Sequence, residues 1–154
     1  MRNVNWRNGG RKNSDMKVLI DTNVIVDYLA EREPFFISAK EIIEACQNET
    51  IFGCVSSQSI ADIYYILRKD FSVSERKRIL LALCRLLHVE GVDRVKLTTA
   101  LENDDFSDFE DCLQMQCAIA FGADYIVTRN EKDFVYSSVR AISPECFCGK
   151  YLEK

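Results

Sequence analysis

The chain has 154 residues, 47% of them apolar, which suits one domain with a buried core and excludes a disordered tail. It carries 24 acidic and 20 basic residues, a net charge of −4, whereas a protein that binds nucleic acid by charge alone should be basic. Either nucleic acid is not the substrate, or the acidic groups are concentrated in a site that a metal ion neutralises.

The short apolar runs and the odd number of cysteines argue against a membrane protein or a secreted protein. No apolar run approaches the ~20 residues that a membrane span needs, and the N-terminus lacks the apolar stretch of a signal peptide. The seven cysteines are odd in number and lie mostly in apolar stretches, which is typical of free thiols in a reducing compartment. We expect a cytoplasmic protein that makes no membrane contact.

Residues 1–15 differ from the rest because they are polar, basic and contain Gly9-Gly10. We predict a disordered arm or an extension, followed by a single domain over residues 16–154. A basic arm that touches nucleic acid is the alternative.

The first half of the chain alternates apolar runs with helical patterns. Strands are predicted over 18–20 and 51–55, and helices over 24–30, 34–47, 59–69 and 74–87. Thr22 and Asn23 are predicted to cap the first helix, Pro34 to open the second, and Ser74 to cap the fourth.

The second half continues the alternation. Val89 and Val92 flank a third short strand, and His88 is predicted to end the preceding helix. Ser107 and Glu110 form a capping box for a helix that runs to Phe121 and stops at Gly122, and strands follow over 125–128 and 139–142. Strands separated by helices indicate an α/β fold with a parallel sheet, in which ligands bind beyond the carboxyl ends of the strands.

Five acidic positions are predicted to meet at that edge. Asp21 directly follows the first strand, although a helix cap explains it equally well. Asp108 and Asp111 lie about 60° apart on one helix face, with Asp111 at the head of an apolar stripe formed by Cys112, Met115, Ala118 and Ile119. Glu110 points elsewhere.

Two further acids, Asp62 and Asp133, lie where a ligand-binding role is one of two explanations. Asp62 lies in an apolar helix, so it is either partly buried and paired or a ligand. Asp133 follows the strand that ends at Thr128, where Thr128 and Asn130 either bind a ligand or shape the turn. A cluster of carboxylates repels itself unless cations neutralise it, and hard oxygen ligands of this kind suit Mg²⁺ or Mn²⁺. Metals held this way activate water and stabilise phosphoryl charge.

Three segments together resemble the PIN domain family. They are Val18-Leu19-Ile20-Asp21-Thr22-Asn23, the helix that begins Asp111-Cys112-Leu113, and Thr128-Arg129-Asn130 followed by Asp133-Phe134. The resemblance covers residues 17–144 and implies a three-layer α/β/α sandwich with a central parallel sheet of four or five strands. It also implies a Mg²⁺- or Mn²⁺-dependent ribonuclease, as in VapC-like toxins of toxin–antitoxin pairs.

The resemblance assigns the site residue by residue. Asp21, Asp62 and Asp111 match the catalytic, metal-binding acids. Asn130 stands where many members have Asp. The fourth ligand could therefore be Asp108, Asn130 or Asp133. Residues that would contact the substrate are Thr22, Asn23, Thr128, Arg129 and Asn130. An RNA substrate, an antitoxin protein and a homodimer are the implied partners.

Other readings of the same residues remain. The chain could be a catalytically inactive PIN-like protein-binding module, or a hydrolase of small phosphate esters. A cysteine hydrolase ranks low because His88 has no evident cysteine partner. The basic run Arg76-Lys77-Arg78 is expected to be a solvated helix face, and the aromatic pairs Phe35-Phe36 and Tyr64-Tyr65 are expected to belong to the core.

Overall fold

The structure is a computed structural model, and it describes residues 15–152. The predicted arm therefore lies outside the described residues except for Asp15, and so do residues 153 and 154 of the predicted domain. No helix among the residues described is both long and apolar enough to cross a membrane.

A five-stranded, entirely parallel sheet forms the centre of the fold. Its strands are β1 (Lys17–Ile20), β2 (Phe52–Ser56), β3 (His88–Glu90), β4 (Tyr125–Val127) and β5 (Arg140–Ile142). They lie in the order β3-β2-β1-β4-β5. The chain adds β2 and β3 on one side of β1, and then adds β4 and β5 on the other side. The strand order thus reverses between β1 and β4, where ligands bind in open sheets of this kind.

Helices cover both faces of the sheet, so the predicted α/β/α sandwich with a parallel sheet is confirmed. The helices are α1 (Thr22–Leu29), α2 (Phe36–Gln47), α3 (Ser57–Ile66), α4 (Val73–Leu86), α5 (Arg94–Leu101), α6 (Phe109–Phe121) and α7 (Pro144–Phe147). Short 3₁₀ turns lie at Leu67–Lys69 and Glu131–Phe134, and a π-helical turn lies at Cys148–Leu152.

The alternation of side chains along β1 creates two separate cores. Val18 and Ile20 point to one face, where they pack with apolar residues of α1, α2, α3, α4 and α7. Leu19 points to the other face and packs with residues of α5 and α6. All three are completely buried, as expected of a central strand in a parallel sheet. Asp21, the next residue, therefore leaves the sheet at its carboxyl edge.

Gly53 on β2 lies where the first core has no room for a side chain. A Cβ at this position would sit 2.7 Å from Cys46 Sγ and 2.7 Å from Leu87 Cδ2. Both neighbours are buried. A larger residue here would have to displace these two side chains, so the close packing of α2 and the end of α4 against β2 favours glycine.

Three predicted helix caps are wrong, because another nearby side chain caps each helix instead. Asp21 caps α1, and the Thr22 hydroxyl donates to Ser59 rather than capping. Ser72 caps α4 in a capping box with Glu75, two residues before the predicted Ser74. Asp108 caps α6 in place of Ser107, and Glu110 contributes only its backbone N–H.

The remaining differences concern segment starts and weakly patterned helices. Pro34 lies in the turn before α2, which begins at Phe36, and His88 begins β3 instead of ending a helix. Helix α5 was not predicted, since Val95 and Leu97 alternate with polar residues in the manner of a strand. Gly122 ends α6 as predicted, with φ of 74° in the left-handed region.

Candidate active site

A cleft of about 470 Å³ opens at the carboxyl edge of the sheet, beside the reversal of strand order. Six carboxylates and no basic side chain are among the described residues that line it. These acids are Asp21, Asp62, Asp108, Glu110, Asp111 and Asp133. Amide side chains and several hydroxyl groups supply the rest of its polar lining; the amides are Asn23, Gln58, Gln114 and Asn130. The cleft is therefore strongly negative.

Asp21 lies at the floor of the cleft and is held from two sides. The Thr22 N–H donates to Oδ1 at 2.8 Å, and the Thr128 hydroxyl donates to Oδ2 at 2.9 Å. The residue is only 7% exposed, and its burial raises the pKa of the carboxyl even though both hydrogen bonds oppose that rise. The carboxylate that caps α1 thus also lines the cleft, so the capping role and the predicted site role of Asp21 are compatible.

Asp108 and Asp111 enter the cleft from the start of α6. Asp108 caps the helix by accepting from the N–H groups of Glu110 and Asp111, at 2.7 and 3.2 Å. Asp111 is half-buried one turn on. Burial raises the pKa of Asp111 to about 7, and the negative charges of Asp108, Asp21 and Asp133 add to that rise. Part of this shift therefore comes from the negative charges that lie around Asp111.

Asp62 and Asp133 reach the same cleft from two other elements. Asp62 is half-buried on α3 and accepts a hydrogen bond from Gln58 Nε2 at 3.1 Å. Asp133 lies in the 3₁₀ turn after β4 and is exposed. The five acids singled out from the sequence thus converge on one cleft, and Glu110, which was expected to point away, lines it as well.

The proposed substrate-contacting residues divide into two groups. Thr22, Asn23 and Asn130 line the cleft. Thr128 is completely buried beneath it and contacts Asp21, while its oxygen also accepts from the Asn130 N–H at 3.0 Å. Thr128 therefore shapes the turn and orients an acid.

Arg129 does not line the cleft. Its Nε lies 2.8 Å from Oδ2 of the buried Asp27 as an ion pair, and Nη2 donates to Oδ1 at 3.3 Å. The guanidinium also lies 4.0 Å from the centre of the Phe35 ring. The Arg129 cation instead neutralises a buried carboxylate of α1.

Gln114 is a cleft residue that the sequence analysis missed. Its Nε2 donates to Ser59 Oγ at 3.0 Å, with Asp21 Oδ1 and Thr22 Oγ1 at 3.4 Å. The side chain is 7% exposed, and its Oε1 has no hydrogen-bond partner in the structure. The position three residues after Asp111 places it on the same helix face, and that spacing was the available signal.

The donor set fits a hard divalent cation in its chemistry. Only oxygen ligands converge, burial and then the neighbouring negative charges raise the pKa of Asp111, and a buried amide oxygen of Gln114 lacks a partner. The acidic side chains are, however, too far apart to enclose an ion as they stand. Within residues 15–152, no three acidic, histidine or cysteine side chains are placed to do so.

Comparison with known proteins shows which proteins this chain resembles in sequence and fold. The chain is similar to Ribonuclease VapC1 of Aquifex aeolicus (strain VF5), with 28% identity over 145 residues, which cover 88% of this chain and 95% of the relative. Two solved structures share the fold with a TM-score of 0.59: VapBC2 from Rickettsia felis bound to a DNA fragment from their promoter, and FitAB bound to the IR36 DNA fragment.

The Rickettsia felis chain is 20% identical and the FitAB chain 15% identical. The alignments cover 83% and 82% of this chain, and 98% and 94% of those chains. The sequence profile of the PIN domain matches residues 17–132, three quarters of the chain. The chain belongs to the PIN domain family.

Proposed function

We propose that this protein is a divalent-metal-dependent endoribonuclease, the toxin of a toxin–antitoxin pair, that hydrolyses RNA phosphodiester bonds. The observation that carries the proposal is the cleft of six carboxylates at the strand reversal. The similarity to a relative named Ribonuclease VapC1 supports the choice of RNA.

The acids of the cleft would hold the metal. Asp21, Asp62 and Asp111 approach from three different elements and are the main ligands in the proposal, while Asp108 and Asp133 compete for the fourth place. When bound, Mg²⁺ or Mn²⁺ would lower the pKa of a water molecule and neutralise charge on the phosphate.

The protein's own contribution is orientation. Thr128 and the Thr22 N–H fix both oxygens of Asp21, so its carboxylate is arranged before any ligand arrives. Gln114 links that carboxylate to Ser59 at the start of α3. Asn23 and Asn130 supply neutral polar groups for a phosphate or sugar without adding negative charge.

A protein nucleophile is not needed in this proposal. None of the residues that line the described cleft is a cysteine or a histidine. His88 lies on β3, where its Nε2 is 2.7 Å from Glu90 Oε2 and its ring stacks on Phe121.

A protein partner is the second part of the proposal. A free ribonuclease inside its own host needs restraint, and the similar structures named VapBC2 and FitAB make an antitoxin the first candidate. Expression together with the product of the neighbouring reading frame, followed by co-purification, tests this. A homodimer is proposed on the family resemblance and is read from the mass in solution.

The function is tested by cleavage of a 5′-labelled RNA in Mg²⁺, Mn²⁺ or EDTA. We expect cleavage in either metal, none in EDTA, and a loss of at least about 100-fold in Asp21→Asn. Asp105→Asn is the matched control, because Asp105 is an exposed acid that does not line the cleft.

Four results would contradict the proposal. Metal-independent cleavage would exclude the mechanism, and full activity of Asp21→Asn would exclude the site. An inert wild type that still co-purifies with a protein would favour a binding module. Hydrolysis of p-nitrophenyl phosphate without RNA cleavage would favour a small phosphoester hydrolase.

A further inference from the structure

The end of α3 carries two tyrosines, each stacked with an arginine. The Arg68 guanidinium lies 3.7 Å from the centre of the Tyr65 ring and donates to the Tyr65 carbonyl at 2.9 Å. The Arg76 guanidinium lies 4.3 Å from the Tyr64 ring and donates to the Tyr64 carbonyl at 2.8 Å. Two positive charges are thus fixed at the carboxyl end of this helix.

The two tyrosines differ in their surroundings. Tyr64 is partly buried and packs against the first core, as the sequence predicted. Tyr65 is 62% exposed, so the expectation that both belong to the core is wrong for this residue. Tyr65 lines the cleft, and it follows Asp62 by one helical turn on the same face of α3.

Helix capping explains only part of this arrangement. Arginines that bind the last carbonyls of a helix stabilise its negative end, which accounts for the positions of both guanidinium groups. Capping does not require an exposed aromatic ring, and it does not explain why the ring borders the acidic cleft. An exposed aromatic ring beside a fixed cation is, however, a combination that proteins use to bind single-stranded nucleic acid.

We propose that Tyr65 and Arg68 form a binding site for one nucleotide of single-stranded RNA at the rim of the cleft. A base stacks on the Tyr65 ring, and the Arg68 guanidinium contacts a neighbouring phosphate. The inference rests on the proposed function, since it takes the cleft as the place where the RNA backbone is cut.

This placement has two consequences, one for the attraction of RNA to the cleft and one for the choice between single-stranded and double-stranded RNA. Arg68 brings a positive charge to the rim of a cleft lined by six carboxylates, where a polyanion would otherwise be repelled. A base can stack on a protein ring only when it is not stacked within a duplex. The rim should therefore select single-stranded over double-stranded RNA.

The test measures fluorescence anisotropy of a labelled 12-nucleotide single-stranded RNA bound to the full-length protein, with EDTA present so that the RNA stays intact. Tyr65→Ala should weaken binding by about tenfold, the loss expected for one stacked base, and Tyr65→Phe should restore it. Tyr136→Ala is the control, because Tyr136 is 67% exposed and does not line the cleft.

The charge is tested with Arg68→Gln, compared with Arg78→Gln on the exposed face of α4. Arg68→Gln should weaken binding and lower the dependence of affinity on salt by about one counterion, and Arg78→Gln should change affinity less. The Tyr65→Ala loss should disappear with an RNA duplex of the same sequence.

Several results would overturn the inference. Absence of RNA binding by the wild type, equal losses in Tyr65→Ala and Tyr136→Ala, or a Tyr65→Phe variant as weak as Tyr65→Ala would each do so. Unchanged RNA affinity with an altered oligomeric state in Tyr65→Ala would assign the ring to a protein interface. A wild type that cleaves RNA without dependence on Tyr65 refutes this inference alone, whereas Tyr65-dependent binding without cleavage refutes the proposed nuclease activity alone.

Discussion

Thr128 Oγ1 donates a hydrogen bond of 2.9 Å to Oδ2 of Asp21, although the two residues are 107 positions apart in the chain. The contact joins the carboxyl ends of β4 and β1, the two strands between which the strand order reverses. It lowers the pKa of a carboxyl that burial raises, and so it favours the charged form that a cation needs.

Thr128→Val should therefore weaken metal binding without removing any ligand. The variant loses the hydroxyl that orients Asp21, and the pKa of Asp21 should therefore rise further. We expect roughly tenfold weaker Mn²⁺ binding, the lower end of the effect of groups that orient metal ligands. Calorimetric titration measures it, with Thr98→Val on the exposed surface of α5 as control. Unchanged affinity would show that the hydrogen bond does not matter for binding.

Asp111→Asn should stabilise the protein in a pH-dependent way. The pKa of Asp111 is about 7 in the folded chain against 3.8 for the unperturbed group, so the folded state binds more protons between these values. Stability is consequently lost as the pH rises from about 4 to 7, and the full penalty remains above 7. Removal of the charge relieves that penalty only at higher pH.

The expected gain for Asp111→Asn at pH 8 is ~1 kcal/mol after allowance for solvent screening, or about 2–4 °C in Tm. It should nearly vanish at pH 4. Thermal melts in EDTA at the two pH values measure it, with Asp105→Asn for comparison. Cleavage should be lost in the same variant. A Tm change that is equal at both pH values would contradict the shifted pKa.

Asp108 can be assigned as cap or ligand by comparing two substitutions. Asn is as good a helix cap as Asp, so Asp108→Asn should leave stability nearly unchanged, whereas Asp108→Ala should cost about 1 kcal/mol. We expect Asp108→Asn to lose less than tenfold in cleavage rate, far less than Asp111→Asn. A loss equal to that of Asp111→Asn would identify Asp108 as a ligand.

Gly53→Ala should destabilise the fold. The added methyl would overlap Cys46 and Leu87, both buried, and overpacking of this kind costs about 1–3 kcal/mol. Urea unfolding measures the change. Gly91→Ala is the control, because a Cβ at Gly91 meets no atom within 4 Å. Equal stability of the two variants would mean that α2 and α4 move apart easily.

The convergence of acids could be predicted because it depends on local order. Asp21 and Asp133 each follow a strand, and carboxyl ends of parallel strands share one edge, so short-range patterns were sufficient. The ion pair of Arg129 could not be predicted, because its partner Asp27 lies 102 residues away and is buried on α1. The exposure of Tyr65 could not be predicted either, since the sequence does not show which of two adjacent tyrosines on a helix faces solvent.

The strength of a helix signal also limited the prediction. The strands and the longer helices were found because their apolar periodicity is strong, and the parallel sheet followed from them. Helix α5 was missed since its eight residues have no consistent apolar face. The caps were displaced by one or two residues, because Ser, Thr and Asp at neighbouring positions compete for the same backbone donors.

The two outermost strands, β3 and β5, are only three residues long each. Another chain that added itself to either border could form few main-chain hydrogen bonds, so the sheet is a poor template for fibrous aggregation. We therefore expect a second copy of this protein, or an inhibitory partner, to dock mainly through side chains rather than by adding a strand to the sheet. Such contacts are tuned by surface substitutions without disturbing the strands that carry the acidic cleft.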